Sequence, residues 1–283
     1  MQKILITGWN WMLATDFKKL FKNKYNIFSF DKNDLNITDF DNIQKVVNYI
    51  KPDIILNFAA YTKVDDAEDI WRMINYNVNT LWVYNLSKIS NRFWVDFITI
   101  STDYVFDGTK EKWYNENDKK NPINQYWVAK HLGEELAKKE NKNSIIIRTS
   151  WLYWWWKDYK NFVNTMLSLW KKLDSLKVVN DQFWNPTYTV DLSNAIWKII
   201  DNIENHRWKI FHFSNETKWN WITWYEFAKE IFSIAWIKID LQACASDEFP
   251  TRAQRPKYSK LINNSDIKLR NWKEWLKEYL NSL

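Results

Sequence analysis

Short apolar runs alternate with segments of helical apolar spacing through the first half of the chain. The runs that predict strands lie at residues 3–7, 25–30, 53–60, 95–102 and 144–150. The segments that predict helices lie at residues 13–23, 39–50, 70–91 and 126–140. Because the strand candidates are apolar at nearly every position, both faces of their sheet are expected to be buried. The alternation predicts an α/β fold, a Rossmann-type doubly wound parallel sheet with right-handed connections.

The pattern loosens after Ser150. Further strands are predicted at 177–181 and 209–215, and amphipathic helices at 223–235 and 271–283. We therefore divide the chain into a core at 1–150 and a mixed segment at 151–283. The second segment is expected to complete the sheet and to form a small C-terminal lobe over its carboxyl edge.

Composition excludes several classes of protein. No run of 18 apolar residues occurs and the N-terminus enters a strand at once, so neither a membrane span nor a secretory signal is expected. The single cysteine, Cys244, excludes an internal disulfide and suits a reducing cytoplasm. The net charge of +6 is spread among acidic residues, which argues against a nucleic-acid partner.

The chain has 3 glycines and 21 tryptophans, which is unusual for a fold with many tight turns. Ordinary usage of about 7% glycine predicts roughly 20 in a chain of this length. Trp170, Trp208 and Trp236 follow helix-ending stretches where a glycine cap is expected. We hypothesise that most tryptophans are glycine positions encoded by UGA, which some bacteria read as glycine. The alternative is a protein truly rich in tryptophan with an aromatic binding surface, and UGG codons at these positions would favour it.

The segment Gly8-Trp9-Asn10-Trp11-Met12-Leu13-Ala14 lies between the first strand and the first helix. With glycine at Trp11 it becomes Gly-x-x-Gly-x-x-Ala, a loop whose backbone and helix N-terminus bind a dinucleotide pyrophosphate. Asp31 ends the next strand, where a carboxylate accepts from the adenosine ribose, although an Asp there equally caps a turn. Lys32 beside it would suit a 2′-phosphate, so NAD and NADP both stay open.

Tyr126 and Lys130 lie four residues apart and share one face of a predicted helix. A nearby ammonium favours the phenolate, which lowers the pKa of a tyrosine toward that of a usable general acid. Alone, this spacing equally fits a chance surface pair. Thr102 leaves the carboxyl end of a strand, where it would donate to a carbonyl oxygen that Tyr126 protonates. The three together form a constellation suited to hydride transfer, whereas the three histidines show no metal-binding spacing.

Motifs along nearly the whole chain resemble those of one family. They are "NFAAYTKVDDAE" at 57–68, "ISTDYVFDGT" at 100–109, "DQFWNPTYT" at 181–189 and "RAQRPKYSKL" at 252–261. The chain resembles the dTDP-4-dehydrorhamnose reductases of the extended short-chain dehydrogenase/reductase superfamily. The resemblance implies reduction of the C4 keto group of dTDP-4-dehydro-L-rhamnose by NADPH or NADH. In it Tyr126 is the general acid, Lys130 lowers its pKa and binds the nicotinamide ribose, and Thr102 polarises the carbonyl.

The resemblance also implies roles for other residues. The expected cofactor contacts are Gly8, Asn10, Trp11, Met12, Leu13, Asp31, Asn36, Ile37, Ala59, Ala60, Tyr61, Ser101, Tyr126 and Lys130. The expected contacts to the dTDP-linked deoxysugar are Asp103, Tyr104, Trp151, Arg252 and Arg255. The two arginines equally suit ion pairs within the lobe. Some members of the family hold Mg²⁺ at a dimer interface, so a homodimer is compatible with the resemblance, but the sequence presents no cluster of metal ligands.

The family pattern sorts the tryptophans as well. It has tryptophan at Trp151, Trp224 and Trp272. It has glycine at Trp11, Trp127, Trp154, Trp184 and Trp208, and leaves Trp275 undecided. If the tryptophans are literal, Trp11 would fill the pyrophosphate space and the chain should fold poorly or be inactive. Two other functions stay open: another nucleotide-sugar reductase or epimerase of the superfamily, and a non-catalytic regulatory subunit that binds a dinucleotide.

Overall fold

The computed structural model describes residues 1–31, 33–36, 38–153, 161–217 and 222–281. Its strands are β1 Lys3–Thr7, β2 Asn26–Phe30, β3 Ile54–Asn57, β4 Asp96–Thr102, β5 Ile145–Thr149, β6 Leu152–Tyr153, β7 Ser175–Val179, β8 Thr187–Tyr188, β9 Ile210–His212 and β10 Asp240–Cys244. Its α-helices are α1 Met12–Phe21, α2 Phe40–Ile50, α3 Arg72–Tyr76, α4 Trp82–Phe93, α5 Gln125–Glu140, α6 Phe162–Trp170, α7 Thr189–Asp201, α8 Trp224–Ile234 and α9 Trp272–Asn281.

Six parallel strands form the main sheet in the order β2-β1-β3-β4-β5-β9. Successive residues of β1 show why its sequence is apolar throughout. Ile4 and Ile6 pack into the core that includes α1 and α7, whereas Leu5 packs into the core beneath α2 and α4. Helices therefore cover both faces, and the predicted Rossmann-type doubly wound sheet is confirmed.

The helical segment predicted at 70–91 is interrupted. It consists of α3, a π-helical turn at Asn77–Leu81, and α4. Gly133 of α5 lies against this turn, and a Cβ atom there would come within 2.2 Å of the Asn79 carbonyl oxygen. The close approach of α5 requires glycine at this position.

The residues after Ser150 contribute both to the sheet and to a second core. β9 extends the main sheet, while β7 and β10 form a separate parallel pair. The second core is strongly aromatic and includes Trp184, Trp224, Trp272 and Trp275. Trp275 is fully buried and stacks on Tyr188 at 5.4 Å between ring centroids. The division at residue 150 stays a prediction.

Three tryptophans at the ends of helical segments have the left-handed backbone that favours glycine. Their φ values are +56° at Trp94, which caps α4, +62° at Trp208 and +57° at Trp236. Trp94 and Trp236 are 93% and 94% exposed, so packing gives no reason for a tryptophan at either. This geometry supports the glycine hypothesis for these positions. Trp170 is the last residue of α6 and is not left-handed, so the cap expected there is wrong, while Trp151 has φ +42° although the family pattern has tryptophan there.

Within the described residues, no helix is long and apolar enough to cross a membrane.

Candidate cofactor and active site

A cavity of about 500 Å³ opens at the carboxyl ends of β1 and β3. The chain adds β2 on one side of β1 and β3 on the other, so the strand order reverses between β1 and β3. Doubly wound sheets bind ligands at such a point. Seven of the predicted cofactor residues line the cavity: Gly8, Asn10, Trp11, Asp31, Ala59, Ala60 and Tyr61. Its apolar wall adds residues that the sequence did not single out: Phe30, Leu35, Trp71, Ile74, Val78 and Trp82. Leu35 follows Asp31 by only four residues, so the position of Asp31 at the end of a strand was the sequence signal for including it.

Gly8 joins β1 to the cavity in a conformation that needs glycine. Its φ is +77°, and a Cβ atom there would lie 2.7 Å from the backbone of Ala59. Its N–H donates to the Phe30 carbonyl oxygen at 2.9 Å. The close approach of the ends of β1 and β3 therefore depends on this residue.

The N-terminus of α1 is built to bind an anion. Trp11 is its N-cap residue and forms no side-chain cap, and the first turn carries no acidic residue. The first N–H groups of a helix and the positive end of its dipole suit an anion, and Trp11 places this end of α1 at the cavity. Trp11 is itself one of the residues that line the cavity. A glycine at this position would let the backbone approach a pyrophosphate more closely.

Asp31 both caps a turn and reaches the cavity. Its Oδ1 accepts from the N–H groups of Asn33 and Asp34 at 2.7 and 3.1 Å. Its Oδ2 accepts from Asn10 Nδ2 at 3.2 Å. The N–H of Asn33 is the main cause that lowers the pKa of Asp31. The two alternatives for this residue are thus compatible.

The other expected cofactor residues lie outside the wall of this cavity. Met12 and Leu13 begin α1, and Leu13 is buried in the core. Asn36 is exposed and accepts from the hydroxyl of Thr38 at 2.8 Å. Ser101 is buried in β4 beside Thr102. Ile37, Lys32 and Trp154 lie outside the described residues.

The three predicted catalytic residues lie where β4 ends and α5 begins. Thr102 is the last residue of β4, and Tyr126 and Lys130 lie in the first two turns of α5. Tyr126 and Lys130 are buried, at 8% and 5% exposure. Lys130 Nζ donates to the Ile100 carbonyl oxygen at 2.7 Å. This bond ties the lysine to β4, two residues before Thr102.

Burial controls the pKa values of both residues. Burial raises the pKa of Tyr126, and Asp103 raises it further when it is ionised. Burial lowers the pKa of Lys130 to about 8, against the effect of Glu134. The expected lowering of the tyrosine pKa by Lys130 is therefore absent from this arrangement. The physical reason is that burial penalises the phenolate, while the Lys130 ammonium donates a hydrogen bond to the Ile100 carbonyl oxygen.

A second pair with the same spacing lies on the surface of α4. Lys88 Nζ donates to the hydroxyl of Tyr84 at 3.2 Å, and this bond is exposed to solvent. Tyr84 and Lys88 are therefore a surface pair with this spacing. Tyr126 and Lys130 are not, because they are buried beside the end of β4.

The residues expected to contact the sugar lie in two groups. Asp103 is buried, and its Oδ1 accepts from the Thr102 hydroxyl at 2.9 Å. The ring of Tyr104 lies 4.2 Å from that of Trp127 and 6.0 Å from that of Trp151. Trp151 packs against the second, aromatic core, with its ring centroid 3.7 Å from that of Trp224.

The two arginines bind carboxylates that follow β3. Arg255 donates to both oxygens of Asp65, at 2.8 and 3.1 Å. Arg252 is largely exposed and lies 3.7 Å from Asp69. Neither pair is confined to the lobe, since both join the C-terminal segment to the core.

The described part of the chain contains no group of three or more His, Cys, Asp or Glu side chains that could hold a metal ion.

Comparisons with known proteins agree with this geometry. The family model for the RmlD substrate binding domain matches residues 1–283. The spore coat polysaccharide biosynthesis protein SpsK of Bacillus subtilis is 35% identical over 99% of this chain and 97% of its own length.

Two crystal structures of dTDP-4-dehydrorhamnose reductases are also similar. The one from Clostridium acetobutylicum has 39% identity and a TM-score of 0.91 over 99% of each chain. The one from Bacillus anthracis, in complex with NADP, has 36% identity and a TM-score of 0.92 over 100% of each chain. The chain belongs to the RmlD family of nucleotide-sugar reductases, within the extended short-chain dehydrogenase/reductase superfamily.

Proposed function

We propose that this protein reduces the C4 keto group of dTDP-4-dehydro-L-rhamnose to give dTDP-L-rhamnose, with NADPH or NADH as the reductant. The observation that carries this proposal is the position of Thr102, Tyr126 and Lys130 at the end of β4, in the same sheet edge as the cavity at β1 and β3. We place the reaction in the cytoplasm, in keeping with the single cysteine.

Each residue has a distinct task in this mechanism. When bound, the nicotinamide supplies the hydride that C4 receives. Tyr126 gives its phenolic proton to the C4 oxygen, and its raised pKa keeps that proton in place until the oxygen becomes basic. Lys130, bound to the Ile100 carbonyl oxygen of β4, would bind the nicotinamide ribose, and its positive charge would favour the phenolate only once cofactor and substrate are in place. Thr102 donates to the same oxygen and orients it.

The cofactor would be held by the cavity wall around Gly8 and by the N-terminus of α1. Those N–H groups suit the pyrophosphate, and the Asp31 carboxylate suits the adenosine ribose. We propose that glycine stands at residue 11 in the active protein, because Trp11 lines this cavity at the start of α1.

The test uses the glycine-restored chain, in which glycine replaces Trp11, Trp127, Trp154, Trp184 and Trp208. We expect it to consume NADPH when dTDP-4-dehydro-L-rhamnose is added, as followed by absorbance. Conversion of the sugar without net loss of NADPH would favour an epimerase. The similarity to SpsK makes a related keto sugar the second candidate, so other dTDP- and UDP-4-keto-6-deoxysugars are assayed in parallel. No consumption with any of them would favour a regulatory subunit.

A further inference from the structure

The hydroxyl of Thr102 is fully engaged in a way that conflicts with its task. It donates to Asp103 Oδ1 at 2.9 Å and accepts from the N–H of Tyr104 at 3.2 Å. A hydroxyl has one hydrogen and two lone pairs. An ionised Asp103 has no hydrogen of its own, so it must take the hydrogen of Thr102. Thr102 then has nothing to donate to a substrate carbonyl.

A neutral Asp103 reverses this bond. Its own O–H donates to Thr102 Oγ1, whose two lone pairs then accept from Asp103 and from the N–H of Tyr104. The hydrogen of Thr102 becomes free to point toward a ligand. The same two distances fit both arrangements, because a hydrogen bond keeps its length when donor and acceptor exchange roles.

The surroundings of Asp103 favour the neutral form. The residue is 2% exposed, and its Oδ2 makes no well-formed hydrogen bond to any residue that the structure describes. The groups that face it are the hydroxyl of Ser259 from the C-terminal segment and the phenol of Tyr126 from α5. Arg255 acts on the neighbouring Tyr104 but is held by Asp65. Burial raises the pKa of Asp103 to about 7, against hydrogen bonds from Ser259 and Thr102 that lower it.

We propose that Asp103 is a positioning residue that acts as a neutral carboxylic acid and turns the hydroxyl of Thr102 toward the substrate carbonyl oxygen. This inference rests on the proposed function, since it concerns the group that polarises the C4 carbonyl. It gives Asp103 a role through Thr102 and separates it from a residue that contacts the sugar directly.

The sign of the pH dependence follows. Below about pH 7 Asp103 is protonated and Thr102 can donate, and above it Thr102 donates to the carboxylate instead. Turnover in the glycine-restored chain should therefore fall about tenfold per pH unit above pH 7. In Asp103→Asn the side-chain NH₂ replaces the acid O–H as donor to Thr102. We expect this variant to lose the fall that begins near pH 7 and to keep only the fall above about pH 8, where Lys130 loses its charge.

Asp107→Asn is the matched control. Asp107 also accepts from a threonine hydroxyl, that of Thr109 at 2.8 Å, but its pKa lies below its ordinary value and it is outside the site. The control should keep the profile of the parent chain. An Asp103→Asn variant with the same fall above pH 7, or with activity lost equally at every pH, would overturn the proposal.

A second measurement does not depend on turnover. Carbon-13 NMR of the parent chain, with the carboxyl signal of Asp103 assigned through its backbone, should show titration near pH 7. A signal that titrates near pH 4 overturns the proposal even if Asp103→Asn fails to fold. If this signal titrates near pH 7 and no keto sugar consumes NADPH, the proposed function fails while the neutral state of Asp103 stands.

Discussion

Two helices carry the same tyrosine–lysine spacing, and they differ in everything that matters for catalysis. On α4, Lys88 binds the hydroxyl of Tyr84 in solvent. On α5, Tyr126 and Lys130 are buried, and the lysine binds the Ile100 carbonyl near the end of β4. Water solvates the first pair, and exposed polar pairs of this kind contribute little. The spacing therefore acquires its chemistry from burial at the carboxyl edge of the sheet.

The largest expected effect comes from removing each hydroxyl in turn. Tyr126→Phe in the glycine-restored chain should lower kcat by about 100-fold or more, because the proton donor is lost. Tyr84→Phe should leave kcat unchanged. NADPH consumption at saturating substrate measures both. Equal effects of the two substitutions would end the distinction between the pairs.

The second effect concerns binding of the cofactor, which Tyr126 and Lys130 on α5 need for their reaction and which Tyr84 and Lys88 on α4 do not. Trp11→Gly should tighten NADPH binding about 100-fold, since two charge-assisted bonds from the loop, each of about 1.5 kcal/mol, become accessible. Calorimetric titration measures the Kd. Trp236→Gly, at an exposed helix end far from the cavity wall, should not change it. Equal Kd values for Trp11→Gly and the literal chain would contradict the account of the phosphate loop.

The smallest effect lies at the helix ends, where glycine acts on the backbone alone. Trp94→Gly and Trp236→Gly should each raise the free energy of unfolding by about 1 kcal/mol, because each relieves a left-handed residue. Trp170→Gly should lower it by up to about 1 kcal/mol, since Trp170 is helical. Urea unfolding measures all three. A rise for Trp170→Gly as large as the others would show that tryptophan removal, and not backbone geometry, is responsible.

Much of the sheet could be predicted because buried parallel strands are apolar at successive positions. β6 and β8 could not be predicted, because a strand of two residues has no recognisable apolar pattern. The break between α3 and α4 could not be predicted either, because it accompanies a contact with Gly133, which is distant in sequence. The glycine cap expected at Trp170 is wrong because the chain stays helical through that residue.

The sequence predicted those parts of the site that depend on residue type and on position at the end of a strand. Gly8 and Asp31 follow strands, so topology alone brings them to one cavity. The direction of the Tyr126 pKa was not predictable, because it depends on how deeply the phenol is buried. Asp103 and Thr102 are neighbours in sequence, so their contact could be expected. The protonation of Asp103 could not be expected, because it depends on how deeply that carboxyl is buried.

The most direct measurement traces the hydride. The glycine-restored chain is given dTDP-4-dehydro-L-rhamnose and NADPH that carries deuterium at the transferring position, and the product is examined by NMR. We expect dTDP-L-rhamnose with deuterium at C4 and an equal amount of NADP⁺, and loss of both in Tyr126→Phe but not in Tyr84→Phe. Product without deuterium at C4, or deuterated product that forms equally well in Tyr126→Phe, would contradict it.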